Sequence, residues 1–284
     1  MTINETLSIA INKLKESNIA EPISKARLIL AFVLCKQKEY LITHDKEITL
    51  KKDFDKYMSY IDRLLENEPI QHILGCQEFM KLNFKVNKNV LIPRQDTEVL
   101  VEEVIMICSN MENAKILDLC TGSGAIAISL SKYLNKAKVY ATDISDKALE
   151  VASFNNENLK TGVQFINSNL FQNIDLTFDI IVSNPPYIKS SDIMLLSKDV
   201  QKEPIIALDG GEDGLEFYRK IINEAYKFLN PKGYLCLEIG YDQKEAVIKL
   251  IEKTGKYFNI YSGLYYYGKI YLLRDDKKNI YIFE

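Results

Sequence analysis

The sequence predicts an α/β protein in which helices cover both faces of a parallel sheet, with a small all-α domain in front of it. Two patterns carry this prediction. Apolar residues recur at helical spacing through roughly the first 70 residues, and after Thr97 short apolar runs alternate with helical patterns. Continuous apolar strands that alternate with helices are typical of parallel sheets buried on both faces. We therefore expect a helical domain over residues 1–75, a linker over 76–95 and an α/β domain over 96–284.

The N-terminal segment carries three short amphipathic helices. Thr2 and Glu5 have the spacing of a capping box at the start of the first helix, and Pro22 begins the second. The third helix carries four apolar residues on one face: Tyr57, Ile61, Leu64 and Leu65. Pro69 ends it, because proline restricts the residue before it. None of these helices carries a reactive constellation.

Short alternating or apolar runs predict the strands. Residues 84–86 and 90–92 flank Asn87-Lys88-Asn89, which indicates a β-hairpin in the linker. Five later runs predict the sheet: Lys115–Leu119, Lys138–Thr142, Val163–Asn167, Phe178–Ser183 and Tyr234–Ile239. Helical patterns separate most of these strands, for instance Ala125–Leu134 and Asp146–Asn155.

The composition argues against several classes of function. The formal net charge of -3 disfavours sequence-blind nucleic-acid binding, which depends on neutralising phosphates. The 5 cysteines form no CxxC pair and only 2 histidines occur, so we expect reduced thiols and no metal site. The N-terminus lacks the pattern of a signal peptide, and no apolar stretch approaches the ~20 residues that span a bilayer. We therefore expect a cytoplasmic protein without membrane or direct nucleic-acid partners.

A glycine-containing loop follows the first strand of the α/β domain. It consists of Cys120, Thr121, Gly122, Ser123 and Gly124. Glycine lets the backbone turn sharply and approach a ligand closely, while the following helix start presents free N–H groups. The loop matches neither the dinucleotide fingerprint nor the phosphate-binding lysine loop, so it does not favour phosphates. Such a loop alone is as often structural as it is ligand-binding.

The ends of the next two strands indicate which ligand the loop holds. Asp143 lies about twenty residues beyond the loop, where an acid accepts hydrogen bonds from ribose hydroxyls. The alternative is that Asp143 or Ser145 caps the following helix. After the third strand, the polar Asn169 and the apolar Leu170 suit the two sides of an adenine. A ribose acid without phosphate-binding features predicts S-adenosylmethionine, which has a ribose and no phosphate.

The most informative motif is Asn184-Pro185-Pro186-Tyr187, which follows the fourth strand. Its two prolines fix φ twice and remove two N–H donors, so the Asn184 amide and the Pro185 carbonyl can face the cleft without local competition. Their two oxygens can accept both hydrogens of a planar amide or an aromatic amine, while Tyr187 stacks on its flat face. The nitrogen then faces the cofactor methyl group. The alternative is an ordinary turn with a surface tyrosine.

These motifs, in this order, resemble the HemK/PrmC family of release factor glutamine methyltransferases. The similarity covers nearly the whole chain: residues 68–75 and 77–79 resemble the family's linker, residues 91–98 its Pro-Arg-x-x-Thr-Glu signature, and residues 203–215 the loop after its catalytic motif. The resemblance implies a class I (Rossmann-like) methyltransferase sheet of seven strands behind a helical substrate-recognition domain. It also implies the substrate, which is the glutamine of the Gly-Gly-Gln motif in peptide chain release factors.

The resemblance also implies roles for individual residues. It implies no metal site. Asn184 and Pro185 are the catalytic pair, and the whole tetrapeptide Asn184–Tyr187 binds the glutamine. The implied cofactor contacts are Cys120, Thr121, Gly122, Ser123, Gly124, Asp143, Leu170 and Asn184. Arg94, Asp96 and Glu98 could hold the two domains together or face the substrate, and we favour the structural role.

Three departures from the family pattern stand out. Cys120 occupies a position where glycine is usual, which is tolerable unless φ is positive there. Asn169 replaces an acid, so the adenine contact is expected to be weaker. Residues 265–284 alternate like a hairpin, with Ile270 and Leu272 opposite Ile280 and Ile282, but match the family poorly.

Three other functions stay open at this point: glutamine methylation of a ribosomal protein, N6-adenine methylation of nucleic acid, and cofactor sensing without catalysis. Adenine methyltransferases must flip a base and hold a charged backbone, yet the chain is slightly acidic and shows no base-reading domain. A sensing module would not need an intact Asn-Pro-Pro-Tyr motif. The sequence therefore favours a protein glutamine methyltransferase.

Overall fold

The computed structural model describes residues 1–257, 259–263 and 279–283. These residues form two compact units. The first comprises Met1–Cys76 together with Ser197–Lys202, and the second comprises Gln77–Leu196 and the described residues from Glu203 onward. A short segment from the middle of the chain therefore belongs to the N-terminal unit.

The first unit is built from helices: α1 Ile3–Glu16, α2 Pro22–Leu34, α3 Lys38–Thr43, α4 Lys51–Leu65 and α5 Ile70–Leu74. The expected capping box is confirmed, because the Thr2 side chain accepts from the Glu5 N–H while the Glu5 carboxylate accepts from the Thr2 N–H. Fully buried residues, among them Leu14, Leu30 and Ile61, form one apolar core.

The expectation of three helices missed α3 and α5. These helices have 6 and 5 residues, so neither is long enough to show two apolar repeats. The role assigned to Pro69 was also wrong. Helix α4 already ends at Leu65, and Pro69 directly precedes α5, where its missing N–H would have had no helical partner.

The linker hairpin lies earlier in the chain than expected. Its strands are β1 Cys76–Phe79 and β2 Leu82–Lys85, joined by Met80 and Lys81 with φ values of 49° and 57°. Two consecutive positive φ values define the tight turn that matches strand twist, although Asn-Gly is the usual sequence for it. Residues 87–89 do form a turn, in which the Asn87 side chain accepts from the Asn89 N–H, but no strand follows at 90–92.

The second unit contains a seven-stranded sheet in which all neighbouring strands are parallel. Its strands are β3 Lys115–Leu119, β4 Lys138–Asp143, β5 Gln164–Asn167, β6 Phe178–Ser183, β7 Leu229–Glu238, β8 Asn259–Gly263 and β9 Asn279–Phe283. Their order across the sheet is β5-β4-β3-β6-β7-β9-β8. All five strands expected in this region are confirmed, with β7 beginning earlier, at Leu229.

Helices cover both faces of this sheet: α6 Asp96–Cys108, α7 Ala125–Tyr133, α8 Asp146–Leu159, α9 Glu216–Phe228 and α10 Lys244–Thr254. Ile116 and Val182 pack into a core with α6 and α7, whereas Leu117 and Ile181 pack into a second core with α9 and α10. Successive strand residues are therefore buried on opposite faces, which is why the strands are continuously apolar. Among the described residues, no helix combines the length and apolar character needed to span a membrane.

The expected C-terminal hairpin falls largely on residues 264–278, which lie outside the described residues. Its second half, Ile280 to Ile282, belongs to β9. This strand pairs in parallel with both β7 and β8. The described part of the C-terminus thus completes the sheet.

Candidate active site

Two loops meet where the strand order reverses. Strand β3 lies between β4 and β6, because the chain builds β4 and β5 on one side of it and β6 and β7 on the other. Ligands of open α/β sheets bind outside the carboxyl ends of the strands at such a reversal. The glycine loop follows β3 and the Asn-Pro-Pro-Tyr motif follows β6, so both border this position.

A cleft of about 660 Å³, including its open mouth, lies at the reversal within the second unit. This size falls in the range of small-molecule sites, ~300–1,000 Å³. Five of the expected cofactor residues line it: Cys120, Gly122, Asp143, Leu170 and Asn184. The lining also includes Asn89, Val90, Leu91, Ile144, Ser145, Ala148, Ser168, Asn169, Pro186, Ile206, Ala207 and Phe217.

The other three expected cofactor residues hold the glycine loop in shape. The Thr121 hydroxyl donates to the Asp118 carboxylate at 2.6 Å, and the carbonyl of the buried Ser123 accepts from Asn155 Nδ2 at 2.9 Å. Gly124 has a φ of 81°, and a Cβ there would lie 2.8 Å from a side chain of the following helix. Only glycine fits that helix start. These residues support the cleft without lining it.

Cys120 lies in the left-handed region, with a φ of 59°. A positive φ is the condition under which we expected cysteine to be unfavourable at this position. The strain costs roughly 1–2 kcal/mol. The backbone nevertheless keeps the path that glycine would take. Burial raises the pKa of the Cys120 thiol, so this side chain is a neutral wall of the cleft and not a nucleophile.

Asp143 joins the glycine loop to the end of β4. One carboxylate oxygen accepts from the Gly122 N–H at 2.9 Å, and the other accepts from the Ser145 N–H at 2.9 Å. Capping of α8 falls to Ser145, whose hydroxyl accepts from the Ala148 N–H. A carboxylate has about four acceptor sites, so Asp143 retains capacity toward the cleft. Burial raises its pKa, and a ligand that donates hydrogen bonds to it would favour the ionised form.

The opposite wall of the cleft is largely apolar. Leu170 has a φ of 51°, and its carbonyl accepts from the Ser168 hydroxyl at 2.8 Å. The same hydroxyl accepts from the Asn173 N–H at 3.1 Å, which fixes this loop from both ends. Ile144 and Asn169 complete the wall. An apolar wall with an adjacent amide suits a flat heteroaromatic ring.

Two residues of the tetrapeptide, Asn184 and Pro186, line the cleft, whereas Pro185 and Tyr187 are not among its lining residues. Asn184 is half-buried, and its side-chain nitrogen donates to the Thr97 hydroxyl at 3.1 Å. Pro185 and Pro186 are both buried. Within the described residues, nothing donates to the Pro185 carbonyl. This leaves two carbonyl-type oxygens in sequence that can accept hydrogen bonds from a ligand.

The backbone of Tyr187 is held by the loop that follows the motif. Gln243 Nε2 donates to the Tyr187 carbonyl at 2.8 Å, and the Gly210 N–H donates to the Ile188 carbonyl at 2.7 Å. A Cβ on Gly214 would lie 2.5 Å from the Tyr187 carbonyl oxygen. Burial raises the pKa of Tyr187 to about 12, so its ring stays neutral. These contacts thus fix the backbone to which the Tyr187 ring is attached.

Two segments of the chain match known families. Residues 5–75 match the PrmC N-terminal domain, and residues 95–203 match the methyltransferase small domain. A release factor glutamine methyltransferase from Clostridium acetobutylicum is 41% identical, over 90% of this chain and 92% of its own length. One from Moorella thermoacetica is 40% identical, over 91% of this chain and 93% of its own length. The chain belongs to the release factor glutamine methyltransferase family.

Solved structures of methyltransferases are also similar to this chain. A methyltransferase from Pyrococcus furiosus aligns with a TM-score of 0.47 and 23% identity, over 68% of this chain and 86% of that chain.

As a member of this family, the chain is an S-adenosylmethionine-dependent protein-glutamine methyltransferase, and its cleft fits that cofactor. Asp143 can accept from the ribose hydroxyls, and the wall formed by Leu170 and Ile144 suits the adenine. In the part of the chain that the structure describes, the lining contains neither lysine nor arginine. Within the described ranges, no cluster of three His, Cys, Asp or Glu side chains could hold a metal ion.

One buried acid connects the segments on two sides of the cleft. Glu203 accepts from the Ile92 N–H at 2.8 Å and forms an ion pair with Arg94. The neighbouring residues Leu91 and Ile206 line the cleft from these two segments. Glu98 accepts from the Met80 N–H at 2.8 Å. These contacts of Arg94 and Glu98 lie inside the second unit, so the expected role of holding the two domains together stays a prediction.

Three side chains at the site were missed by sequence reasoning: Thr97, Glu238 and Gln243. Each contacts the tetrapeptide from an element distant in the chain, namely the start of α6, the end of β7 and the residue before α10. The one available signal was Glu238, an acid that directly follows an apolar run in a predicted strand. Such an acid marks the carboxyl end of a strand, where the site lies.

Proposed function

We propose that this enzyme methylates the side-chain amide nitrogen of the glutamine in the Gly-Gly-Gln motif of peptide chain release factors. The observation that carries the proposal is the Asn184 side chain on the lining of the cleft, followed in the chain by the Pro185 carbonyl, to which nothing donates within the described residues. An amide NH₂ has two hydrogens, and two acceptors from consecutive residues can hold both. The relatives from Clostridium and Moorella, which are named for this activity, support the substrate class.

The contribution of the tetrapeptide is orientation. A glutamine amide nitrogen is a poor nucleophile, because its lone pair is delocalised into the carbonyl. When bound, S-adenosylmethionine would supply an electrophilic methyl group and leave as S-adenosylhomocysteine. The amide nitrogen gains the methyl group and then loses one proton to solvent. Asn184 and Pro185 hold the nitrogen toward the cleft, and the Tyr187 ring can cover the flat face of the amide. Well-oriented reactants can gain about 7–11 kcal/mol over free encounter.

The test of this function is direct. The protein is incubated with isotope-labelled S-adenosylmethionine and purified release factors, and fragment mass spectrometry locates the methyl group. We expect a single methyl on the glutamine of the Gly-Gly-Gln motif. Ribosomal protein and adenine-containing DNA and RNA serve as competing substrates in parallel reactions. Label in either of these, with none in the release factor, would refute the proposal.

We further propose that the enzyme acts in the cytoplasm on protein and not on nucleic acid. Release factors work at the ribosome, which places the reaction in that compartment. The formal net charge of -3 gives no general attraction to phosphates. The absence of lysine and arginine from the cleft lining points the same way, because a nucleotide substrate would bring its phosphate to the site.

Replacing Asp143 tests the ribose assignment. Asp143→Ala should weaken the binding of S-adenosylhomocysteine by the ~1.5–3 kcal/mol typical of a hydrogen bond to a charged group, about 10- to 150-fold in Kd. Isothermal calorimetry measures this. Asp146→Ala is the matched control, because Asp146 accepts from Asn167 and lies outside the cleft lining. Equal affinity of a folded Asp143→Ala variant and the parent would remove Asp143 from the ribose site.

The first unit is proposed to recognise the body of the release factor. It supplies no residue to the cleft lining, yet several large apolar side chains are exposed on its described surface. They include Ile23, Phe32, Ile42, Ile48 and Leu50. Ile42 and Ile48 are the most exposed of the five, at 63% each. Apolar surface of this kind is typical of protein contact sites.

Charging this surface should separate whole-protein recognition from chemistry. Ile42→Glu with Ile48→Glu should lower kcat/KM for an intact release factor at least tenfold, since burying one such side chain is worth ~1.5–3 kcal/mol. The rate with a short Gly-Gly-Gln peptide should stay the same. Met106→Glu is a control on the second unit, where Met106 is 62% exposed. Deleting residues 1–75 is a poorer test, because Ser197–Lys202 would lose the unit to which it belongs.

A further inference from the structure

The side chain of Asn184 has two orientations that differ only by exchange of its oxygen and nitrogen. With the oxygen toward the cleft, it accepts a hydrogen from the substrate amide. With the nitrogen toward the cleft, it presents a donor to another donor. The two orientations have nearly the same shape, so packing alone does not choose between them. The choice has to come from hydrogen-bonding partners behind Asn184.

Two buried side chains, Thr97 and Glu238, lie behind Asn184. Asn184 Nδ2 is 3.1 Å from Thr97 Oγ1 at the start of α6. Glu238 is the last residue of β7, and the register that pairs Ser183 with Leu237 brings it beside Asn184. Thr97 is 4% exposed and Glu238 is 7% exposed, so water competes little for these groups.

The hydrogen-bonding capacity of these three residues favours one orientation of the Asn184 amide. The Glu238 carboxyl interacts with both Thr97 and Asn184, and its Oε2 is buried without a hydrogen-bond partner among the described residues. An ionised carboxylate accepts and cannot donate, so it requires the nitrogen of the Asn184 amide on its side. The Thr97 hydroxyl accepts one hydrogen of that nitrogen, and its own hydrogen can turn toward Glu238. With its nitrogen facing Thr97 and Glu238, the Asn184 amide leaves its oxygen for the cleft.

We propose that Thr97 and Glu238 are positioning residues that lock the Asn184 amide with its oxygen toward the substrate glutamine. Neither residue needs to touch the substrate or the cofactor. The proposal deepens the function proposed above and rests on it, since it explains how the first of the two acceptors is kept ready. A preorganised acceptor avoids the cost of rearranging it in each turnover.

The charge environment agrees with this role. Burial raises the pKa of Glu238 to about 7, and the hydrogen bonds from Thr97 and Asn184 act in the opposite direction. Asp96 also raises it, while Arg94 lowers it. The phenols of Tyr187 and Tyr218 are the other titratable groups that interact with this carboxyl. Above about pH 7 the ionised form dominates, and there the selection of one amide orientation is strongest.

Variants of Thr97 test the proposal. Thr97→Val removes the hydroxyl and keeps the shape, whereas Thr97→Ser keeps the hydroxyl. We expect Thr97→Val to slow single-turnover methylation at least tenfold at saturating cofactor and release factor, and Thr97→Ser to lose much less. Thr142→Val makes the same change at another buried threonine, whose hydroxyl has no partner among the described residues. It should keep the parent rate.

A double variant distinguishes a positioning role of Thr97 from a general loss of protein stability. If Thr97 acts through Asn184, adding Thr97→Val to Asn184→Ala should change the remaining rate less than twofold. The same tenfold loss in both backgrounds would overturn the proposal, and so would a parent rate in Thr97→Val alone.

A readout without turnover completes the test. The Asn184 NH₂ signals, assigned by their loss in Asn184→Ala, should exchange slowly with solvent in the parent and faster in Thr97→Val. An unchanged signal pair would contradict the lock. A parent enzyme that methylates no release factor would overturn the proposed function alone, because these signals still report the orientation.

Discussion

Asn184→Ala should reduce the rate of methyl transfer far more than it reduces stability or cofactor affinity. The substitution removes one of two acceptors for the substrate NH₂, while the Pro185 carbonyl remains. Loss of one preorganised polar partner typically costs about 10²–10³ in rate, and we expect a loss of at least that size. Asn184 is only half-buried, so truncation leaves a small cavity. Single-turnover kinetics at saturating cofactor and release factor measure the effect.

The variant Asn184→Asp sharpens this experiment. Its carboxylate can still accept a hydrogen bond, but it would lie beside the Glu238 carboxyl, whose pKa burial already raises to about 7. Two adjacent carboxyl groups tend to share a proton, which leaves the acceptor facing the cleft poorly defined. We expect affinity for cofactor to be kept or improved and transfer to be slower than in the parent. An Asn184→Ala variant that binds both partners and methylates within a few-fold of the parent rate would refute this mechanism.

The architecture of the second unit could be predicted from the sequence because each pattern that indicates a strand or a site lies within a short stretch of residues. The strands from β3 to β7 were predicted from their apolar runs, and residues at or just after the carboxyl ends of β3, β4, β5 and β6 line much of the cleft. The carboxyl ends of parallel strands share one edge, so motifs far apart in the chain could be placed together without coordinates. The five-residue α5 and the Met80-Lys81 turn gave no such signal, since their conformations are set by neighbouring structure.

The supporting layer of the site was not predictable for a different reason. Thr97, Glu238 and Gln243 reach the tetrapeptide across separations of 87, 54 and 56 residues, and only Glu238 carries a local signal, as an acid at the end of an apolar run. The positive φ of Cys120 is another example. A cysteine in sequence does not reveal whether its backbone is strained, because strain depends on the path that the loop must take around the ligand.

Gly214→Ala should be the most damaging single-atom addition near the site. Gly214 has a φ of 74°, which alone costs a non-glycine residue roughly 1–2 kcal/mol. Its Cβ would also lie 2.5 Å from the Tyr187 carbonyl oxygen and 2.6 Å from Gln243 Nε2. These two atoms form the hydrogen bond that holds Tyr187, at 2.8 Å. Because the first obstacle is backbone, the strain must be relieved by moving Tyr187, at a further cost of about 1–3 kcal/mol.

Other glycines of the same unit isolate the two causes. Gly255 has a φ of 59°, and a Cβ added there would have nothing within 4 Å. Gly255→Ala should therefore lower the free energy of unfolding only by the cost of a positive φ. Gly162 has open space and an ordinary φ, so Gly162→Ala should leave the free energy of unfolding nearly unchanged. Denaturant unfolding of the three variants should therefore rank Gly214→Ala as much less stable than Gly255→Ala, with Gly162→Ala near the parent.

Activity then shows whether the strain reaches the site. At a temperature where Gly214→Ala remains folded, its single-turnover rate should fall at least tenfold, because a displaced Tyr187 no longer covers the substrate amide and shifts the adjoining Pro185 carbonyl. A misplacement of about 1 Å can cost on the order of 10²-fold in rate. Gly255→Ala, in which the loop against Tyr187 is intact, should methylate at the parent rate. Equal rates in these two variants would show that the contact of Gly214 with Tyr187 is dispensable for catalysis.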